Sequence, residues 1–280
     1  MKKILVPTDF SEHAGYAVDF ATKLTKKMDA ELILLHVVED TSVSTVKFTG
    51  EVDLPDIQDR LFILKLIEKV TVDLNAIDQQ YADVDIKQEI RIGSPYHSIQ
   101  DIISEHNVDL VVMGTNGTNN FAEALVGSNA EKVVRHANCP VVTLREPVEN
   151  VDFNTIVFAT GLNDSDDTCM IVVRNFQTIF DAKIHVVRIN TPNNFESDSQ
   201  SLPELEKYAQ KCGFENYQTH VYNDVSEEEG IMHFAESIDA DMIAMATHGR
   251  SGFAHLLTGS IAEDVVNHAK RPVLTYVLSK

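Results

Sequence analysis

Short apolar runs alternate with segments of helical periodicity along the whole chain. The run Ile4–Pro7 is followed by apolar residues that recur every three or four positions, which predicts a buried strand and then a helix. The same reading gives the first half five strands, at Ile4–Pro7, Leu32–Val38, Val84–Ile92, Asp109–Met113 and Pro140–Leu144. Its later helices are predicted at Asp56–Gln80, at Ile99–His106 and in a segment that ends at His136. Apolar strands separated by helices are typical of a parallel sheet with right-handed crossovers.

The second half of the chain repeats the first. A shift of 132 residues places Asp109–Thr143 on Asp241–Thr275 with many identities, whereas the start of each half aligns at a shift of 152. The second half therefore lacks a stretch that the first half holds mainly within Glu39–Arg60. Its strands are predicted at Thr155–Ala159, Lys183–Ile189, Asn216–Tyr222, Asp241–Met245 and Pro272–Val277, with a shortened helix at Pro203–Cys212.

These patterns predict an α/β protein of two domains, residues 1–147 and 152–280, joined near Glu146–Asp152. Each domain is expected to hold a five-stranded parallel sheet with helices on both faces. The length of 280 residues fits two domains of ordinary size. Ligands of such sheets bind outside the carboxyl ends of the strands.

Charge and composition narrow the function. The formal net charge of −20 repels phosphate backbones and anionic lipids, so nucleic-acid binding is disfavoured. No apolar run reaches the ~18 residues of a membrane span, and the first residues lack the ~7–15-residue apolar core of a signal peptide, so we expect a cytoplasmic protein. Cys139, Cys169 and Cys212 are isolated, which is typical of incidental thiols in a reducing compartment.

The loop after the fourth strand is the main functional signal. It reads Gly114-Thr-Asn-Gly117, then nine residues, then Gly127-Ser128. Helical periodicity extends from Asn120 to His136, but Gly127-Ser128 predict the start of the helix after a short turn over Phe121–Leu125. Glycines let a ligand approach the backbone, and a helix start offers free N–H groups to a phosphate. The spacing is neither a Walker A loop nor the GxGxxG fingerprint.

The glycine spacing after a strand, together with Pro7-Thr8-Asp9-Phe10-Ser11 after the first strand, resembles the universal stress protein family over essentially the whole chain. The resemblance implies two Rossmann-like (adenine nucleotide alpha hydrolase-like) domains, and some members of the family bind ATP. Carried over to this sequence, it places Pro7, Thr8 and Asp9 at the nucleoside and Val38 at the adenine. It places Met113, Gly114, Gly117, Gly127 and Ser128 at the phosphates, with Asn129 as a further cofactor-binding residue.

Two departures from the family pattern bear on affinity. Asn116 and Thr118 stand where many members carry His and Arg, so phosphate charge would be compensated by N–H groups, by Ser128 and by a metal ion such as Mg²⁺. In the second half Gly161 replaces Asp9, Ala246 replaces Gly114, and Val225 is aligned with Gly93, so its motif is degenerate. Asp9 has an alternative role as a cap of the helix that begins near Ser11–Glu12.

The resulting hypothesis is an ATP-binding regulatory protein whose first half holds the nucleotide. We predict no catalytic residue and no metal site, although His233, His248 and His255 surround the second loop. The repeated Glu131 and Glu263 are expected to favour helix dipoles. Alternatives are a nucleotide-independent scaffold and a weak ATPase or autokinase. The resemblance also implies an intramolecular pseudo-dimer through the fifth strands, and two chains could associate further.

Overall fold

The computed structural model describes residues 1–39, 57–115, 127–162, 167–248 and 261–278. Strands and helices alternate through these residues. The strands are β1 (Lys3–Pro7), β2 (Glu31–Val38), β3 (Ile86–Ile92), β4 (Leu110–Gly114), β5 (Val141–Leu144), β6 (Thr155–Ala159), β7 (Lys183–Asn190), β8 (Tyr217–Asn223), β9 (Met242–His248) and β10 (Val273–Leu278). The helices are α1 (Glu12–Met28), α2 (Ile57–Gln80), α3 (Pro95–His106), α4 (Ser128–His136), α5 (Asp167–Phe180), α6 (Asp198–Cys212), α7 (Glu227–Ser237) and α8 (Ile261–His268).

All the strands belong to one sheet, in the order β3-β2-β1-β4-β5-β10-β9-β6-β7-β8. Pairing is parallel within each half and antiparallel only where β5 meets β10, with Thr143 opposite Val273 and Val142 opposite Leu274. The predicted α/β class, with five parallel strands in each half and helices on both faces, is confirmed. The pairing of the fifth strands inside one chain is confirmed as well.

The two halves share a core on one face of the sheet. Phe153, which is 1% exposed, follows the join between the halves and enters this core. Its ring lies 5.9 Å from that of Phe20 in the first half and 4.8 Å from that of Phe180 in the second. Burial of a large aromatic side chain contributes roughly 2–3 kcal/mol to the free energy of unfolding. The connecting segment is therefore part of the packing between the halves.

Several predicted boundaries were wrong by a few residues. Helix α3 begins at Pro95 and not at Ile99, because proline is pre-organised for the first turn, where its missing N–H is not needed. Helix α6 begins at Asp198, so Pro203 lies inside it and not at its start. Strand β3 begins at Ile86, since the chain from Tyr81 to Val84 forms a turn. The predicted polar connection at Glu39–Leu54 lies, beyond its first residue, outside the described residues.

Candidate functional site at the carboxyl ends of β1, β2 and β4

Backbone hydrogen bonds gather the ends of three strands in the first half. The N–H of Thr8, just after β1, donates to the carbonyl of Leu35 in β2 at 2.8 Å. The N–H of Gly127 donates to the carbonyl of Thr115, just after β4, at 2.7 Å, so α4 begins beside the end of β4. The predicted site residues therefore share one edge of the sheet, at Pro7, Thr8, Asp9, Val38, Met113, Gly114, Gly127, Ser128 and Asn129. Gly117 lies outside the described residues.

The turn from β1 into α1 fixes the orientation of Asp9. Its Oδ1 accepts the N–H of Ser11 at 3.0 Å, while the hydroxyl of Ser11 caps α1 by accepting the N–H of Ala14 at 3.2 Å. The alternative that Asp9 caps this helix is therefore wrong, because Ser11 takes that role. Asp9 remains an exposed carboxylate at the edge of the sheet where the carboxyl ends of β1, β2 and β4 meet.

A stacked pair beside this turn was missed by the sequence analysis. The ring of Phe10 lies 4.7 Å from that of His36 at an interplanar angle of 21°. His36 donates from Nδ1 to the carbonyl oxygen of Thr8 at 2.8 Å. Burial lowers the pKa of His36, against the opposing effects of the Thr8 carbonyl and the Asp9 charge. His36 is thus neutral at pH 7 and adds no positive charge. A histidine inside the apolar run of β2 was the available signal.

Gly114 is glycine because of helix α1. A Cβ atom at this position would lie 2.6 Å from the backbone carbon and oxygen of His13, closer than real Cβ contacts. This close approach is sufficient reason for a glycine, whatever the ligand. Met113 is 6% exposed and its side chain belongs to the core on the α3–α4 face. Both residues can meet a ligand only through their backbone.

The start of α4 supplies the donors for an anion. Gly127 is its N-cap and makes no side-chain cap, and the first-turn amides of a helix lack intrahelical acceptors. Ser128 is exposed and Asn129 is half-buried in this first turn. The predicted start of the helix at Gly127-Ser128 is confirmed. None of the ten predicted site residues is Lys, Arg or His, so among these residues only amides, hydroxyls and the helix dipole could attract an anion.

The repeated glutamates lie behind this site, at the contact between the halves. Arg135 bonds to Glu131 one turn earlier on α4 at 3.2 Å and also to Glu263 on α8. The hydrogen bond that Arg135 donates to Glu263 raises the pKa of Arg135, so this cation stays fully charged. Arg135 thereby joins the two equivalent helices, a role the sequence did not reveal.

The second half keeps the frame of the site but changes its groups. Thr160 repeats the bonds of Thr8: its N–H donates to Val187 at 3.1 Å, and its hydroxyl accepts the N–H of Leu162 at 3.0 Å. Ala246 at the end of β9 occupies the place of Gly114. The second glycine loop, with Gly249, Arg250, Gly259 and Ser260 and with His255 within it, lies outside the described residues.

The end of β8 corrects one alignment. The Gly93 N–H donates to the Val38 carbonyl at 2.9 Å, and the equivalent bond in the second half, also 2.9 Å, runs from Asp224 to Asn190. Asp224 therefore takes the place of Gly93, and Val225 is an additional residue. The Asp224 carboxylate lies 2.7 Å from Nδ1 of His233, which lowers the pKa of Asp224 and raises that of His233. His233 is thus engaged by the Asp224 carboxylate.

A compact turn follows β7 in the second half. The Asn190 side chain donates to the carbonyl of Glu196 at 2.8 Å. Thr191 donates from its N–H and its hydroxyl to the side-chain oxygen of Asn194, at 2.6 and 2.9 Å. Asn194 in turn donates to Glu227 at the start of α7 at 2.6 Å. We call the segment Asn190–Glu196 the β7 turn; it lies over the strand end that corresponds to Val38.

Other predicted features are placed as follows. Cys139 and Cys212 are buried, and burial raises the pKa of Cys139 to about 12, so this thiol is unreactive at neutral pH. The side chain of Cys169 lies outside the described part of the chain. Within the described residues, no group of three or more His, Cys, Asp or Glu side chains could hold a metal ion. None of the helices described there combines the length and the apolar character needed to span a bilayer.

Comparison with known proteins gives consistent matches over both halves. The model of the Universal stress protein family matches residues 1–145 and again 152–276. A universal stress protein from Synechocystis is 24% identical over 99% of this chain and 100% of its own length. One from Methanocaldococcus jannaschii is 30% identical over 51% of this chain and 94% of its own. The crystal structure of a universal stress protein from Archaeoglobus fulgidus superimposes with a TM-score of 0.76, covering 99% of this chain and 98% of that one at 22% identity.

Proposed function

Because the chain belongs to the universal stress protein family, we propose that it is an ATP-binding regulatory protein whose first half holds the nucleotide. The observation that carries the proposal is the junction of α4 with β4. The Gly127–Thr115 bond of 2.7 Å fixes an uncapped helix start beside the strand edge that bears Thr8 and Asp9. Helix starts of this kind bind phosphate groups.

The hydrogen-bonding groups along this edge suit each part of a nucleotide, from the phosphates to the adenine. Ser128 and the first-turn amides of α4 would bind phosphate oxygens, and the exposed Asp9 would accept a ribose hydroxyl. At the far end, the carbonyl of Val38 keeps one lone pair for an adenine amino group, since Gly93 uses the other. The chain has a net charge of −20, so Mg²⁺ bound with ATP would reduce the repulsion of the phosphates.

Gly127→Arg is a clean test of this site. Gly127 has φ −59° and ψ 141°, which any residue adopts, so arginine adds bulk at the helix start without backbone strain. The matched control is Gly259→Arg, the same change at the aligned position of the second half. Ligand at about 100 times its dissociation constant stabilises a protein by about 2.7 kcal/mol, which raises the melting temperature by about 5 °C in a chain of this size.

The experiment is a thermal-shift and calorimetric titration with ATP and Mg²⁺, repeated with GTP and with cyclic AMP. We expect ATP to stabilise the wild type and Gly259→Arg but not Gly127→Arg. Absence of stabilisation and of binding heat in the wild type at millimolar ATP would leave a nucleotide-independent scaffold. Phosphate release above that of a heat-killed sample, abolished by Asp9→Ala, would instead assign an ATPase. We place this function in the cytoplasm, in line with the composition.

A further inference from the structure

The solvent side of helix α2 carries exposed apolar residues among its polar ones. Val70 and Leu74 are buried against the core, with Ile67 and Ile77 packed beside them. On the opposite side Leu61 and Val72 are 54% and 66% exposed, and on the two flanks of the helix Phe62 and Leu64 are 60% and 56% exposed. A helix that covers a sheet normally carries polar residues on its outer side. The outer apolar residues of α2 are therefore suited to a second contact.

The outer residues form a regular stripe with a charged centre. Leu61, Lys65, Glu68 and Val72 follow the spacing i, i+4, i+7 and i+11, which puts them on one side of a helix. We call these four residues the α2 stripe. Its two ends are apolar, and its middle holds one positive and one negative side chain, both exposed. In paired helices, polar residues within an otherwise apolar seam specify the register at a cost in stability.

We propose that the α2 stripe binds the same stripe of a second copy of this chain, with the two helices antiparallel about a two-fold axis. The axis would cross α2 between Leu66 and Ile67. Leu61 then faces the partner's Val72, and Lys65 faces the partner's Glu68, and the two-fold symmetry generates each contact twice. The stripe is thus complementary to itself in both polarity and charge, as an isologous interface requires.

The identity of the partner follows from charge. The chain has a net charge of −20, so two copies repel each other over most of their surfaces. Helix α2 is closer to neutral, because Arg60, Lys65 and Lys69 nearly balance its four acidic residues, Asp59, Glu68, Asp73 and Asp78. The fifth strands, which pair with each other inside the chain, are not available for the same contact between chains. This inference is independent of nucleotide binding.

A single helix pair limits the strength of the dimer. Stable interfaces bury about 1,200–2,000 Å² in total, and one pair of helices provides less than that. We therefore expect reversible dimerisation with a dissociation constant on the order of 1–100 μM. Sedimentation velocity over that concentration range should show a shift from monomer to dimer.

Charge reversal tests the pairing directly. Lys65→Glu or Glu68→Lys alone places like charges opposite each other at both symmetry-related contacts, and each should weaken the dimer at least about tenfold. The double variant Lys65→Glu/Glu68→Lys restores opposite charges and should bring the dissociation constant back to within about threefold of the wild type. The matched control is Lys207→Glu, the same change at an exposed position of the corresponding helix α6, which should leave the dimer unchanged.

Disulfide cross-linking tests the geometry of the helix pair even where the charge substitutions have small effects on dimerisation. Leu61→Cys combined with Val72→Cys should give a disulfide-linked dimer on mild oxidation, whereas either substitution alone should not, because each position faces the other one of the partner. A monomer at all concentrations, or a dimer that ignores all three charge variants, would overturn the proposal. So would a double charge variant as weak as the single ones, or equal cross-linking by either single cysteine variant.

Discussion

Acid should weaken the second half through a pair of histidines at the edge of the sheet. His185 on β7 and His220 on β8 lie with their rings 5.0 Å apart and nearly parallel, and Nδ1 of His185 is 3.0 Å from Nε2 of His220. One nitrogen must donate and the other accept, so the two rings cannot both be protonated in this arrangement. Phe234 of α7 packs against His220 at 4.9 Å, which limits access of water to the pair.

The direction and size of the effect follow from the pKa values. Burial first, and then the charges of His220 and Lys183, lower the pKa of His185 to about 4 from 6.5. Burial likewise lowers the pKa of His220. In the unfolded chain His185 therefore binds a proton below about pH 6.5, whereas in the folded chain it binds one only below about pH 4. The free energy of unfolding therefore decreases as the pH falls through this window. For His185 alone, the loss of unfolding free energy is about 2 kcal/mol at about pH 5. Because the pair lies at a sheet edge near water, solvent screening reduces this loss to about 1–2 kcal/mol.

Urea unfolding at about pH 7.5 and about pH 5 measures this loss. Many carboxylates also titrate there, so the test compares the wild type with the double variant His185→Gln/His220→Gln, in which the pair cannot be protonated. The wild type should lose about 1–2 kcal/mol more than the variant on acidification. The exposed His97→Gln should match the wild type. Equal losses in the wild type and the double variant would refute the reasoning.

Two packing predictions concern the shared frame. Phe153→Ala should cost about 3–5 kcal/mol of unfolding free energy, measured by urea unfolding, because it leaves a cavity in the core between the halves. The control Phe195→Ala removes a side chain that is 69% exposed and should cost less than about 0.5 kcal/mol. Gly114→Ala should lower the free energy of unfolding by about 1–3 kcal/mol, because the added Cβ would clash with the backbone of His13. The control Gly15→Ala on α1, where a Cβ meets nothing within 4 Å, should leave this free energy unchanged or raise it by at most about 1 kcal/mol. Equal effects within either pair would contradict the packing described.

The repeated architecture could be predicted because it rests on local periodicity. Apolar runs fix the strands, and parallel strands bring their carboxyl ends to one edge, so the segments after β1 and β4 could be placed at the same edge. Thr8 and Asp9 themselves were singled out through the family resemblance. The pairing of the fifth strands was also foreseen through the family resemblance. These features depend on patterns that extend over whole elements and tolerate errors of a residue or two.

The details of the site depend on single contacts that no pattern carries. Whether Ser11 or Asp9 caps α1 is decided by the turn geometry after β1. The exchange of Gly93 for Asp224 was missed because the alignment shift changes within that region, and a one-residue insertion cannot be located from strand periodicity. The reason for Gly114 is equally hidden, since the clash it avoids involves a helix distant in sequence.

The carboxyl ends of the strands differ between the two halves. From this difference we predict that each chain binds one nucleotide. In the first half the space beside Gly93 is open, since a Cβ there would meet nothing within 4 Å. In the second half Asp224 puts a carboxylate at that place, and the β7 turn binds back over the strand end. The base of a nucleotide would meet the Asp224 side chain and a closed turn there, so calorimetry should give one ATP per chain, abolished by Gly127→Arg. Two equal sites would show that neither Asp224 nor the β7 turn blocks the second edge.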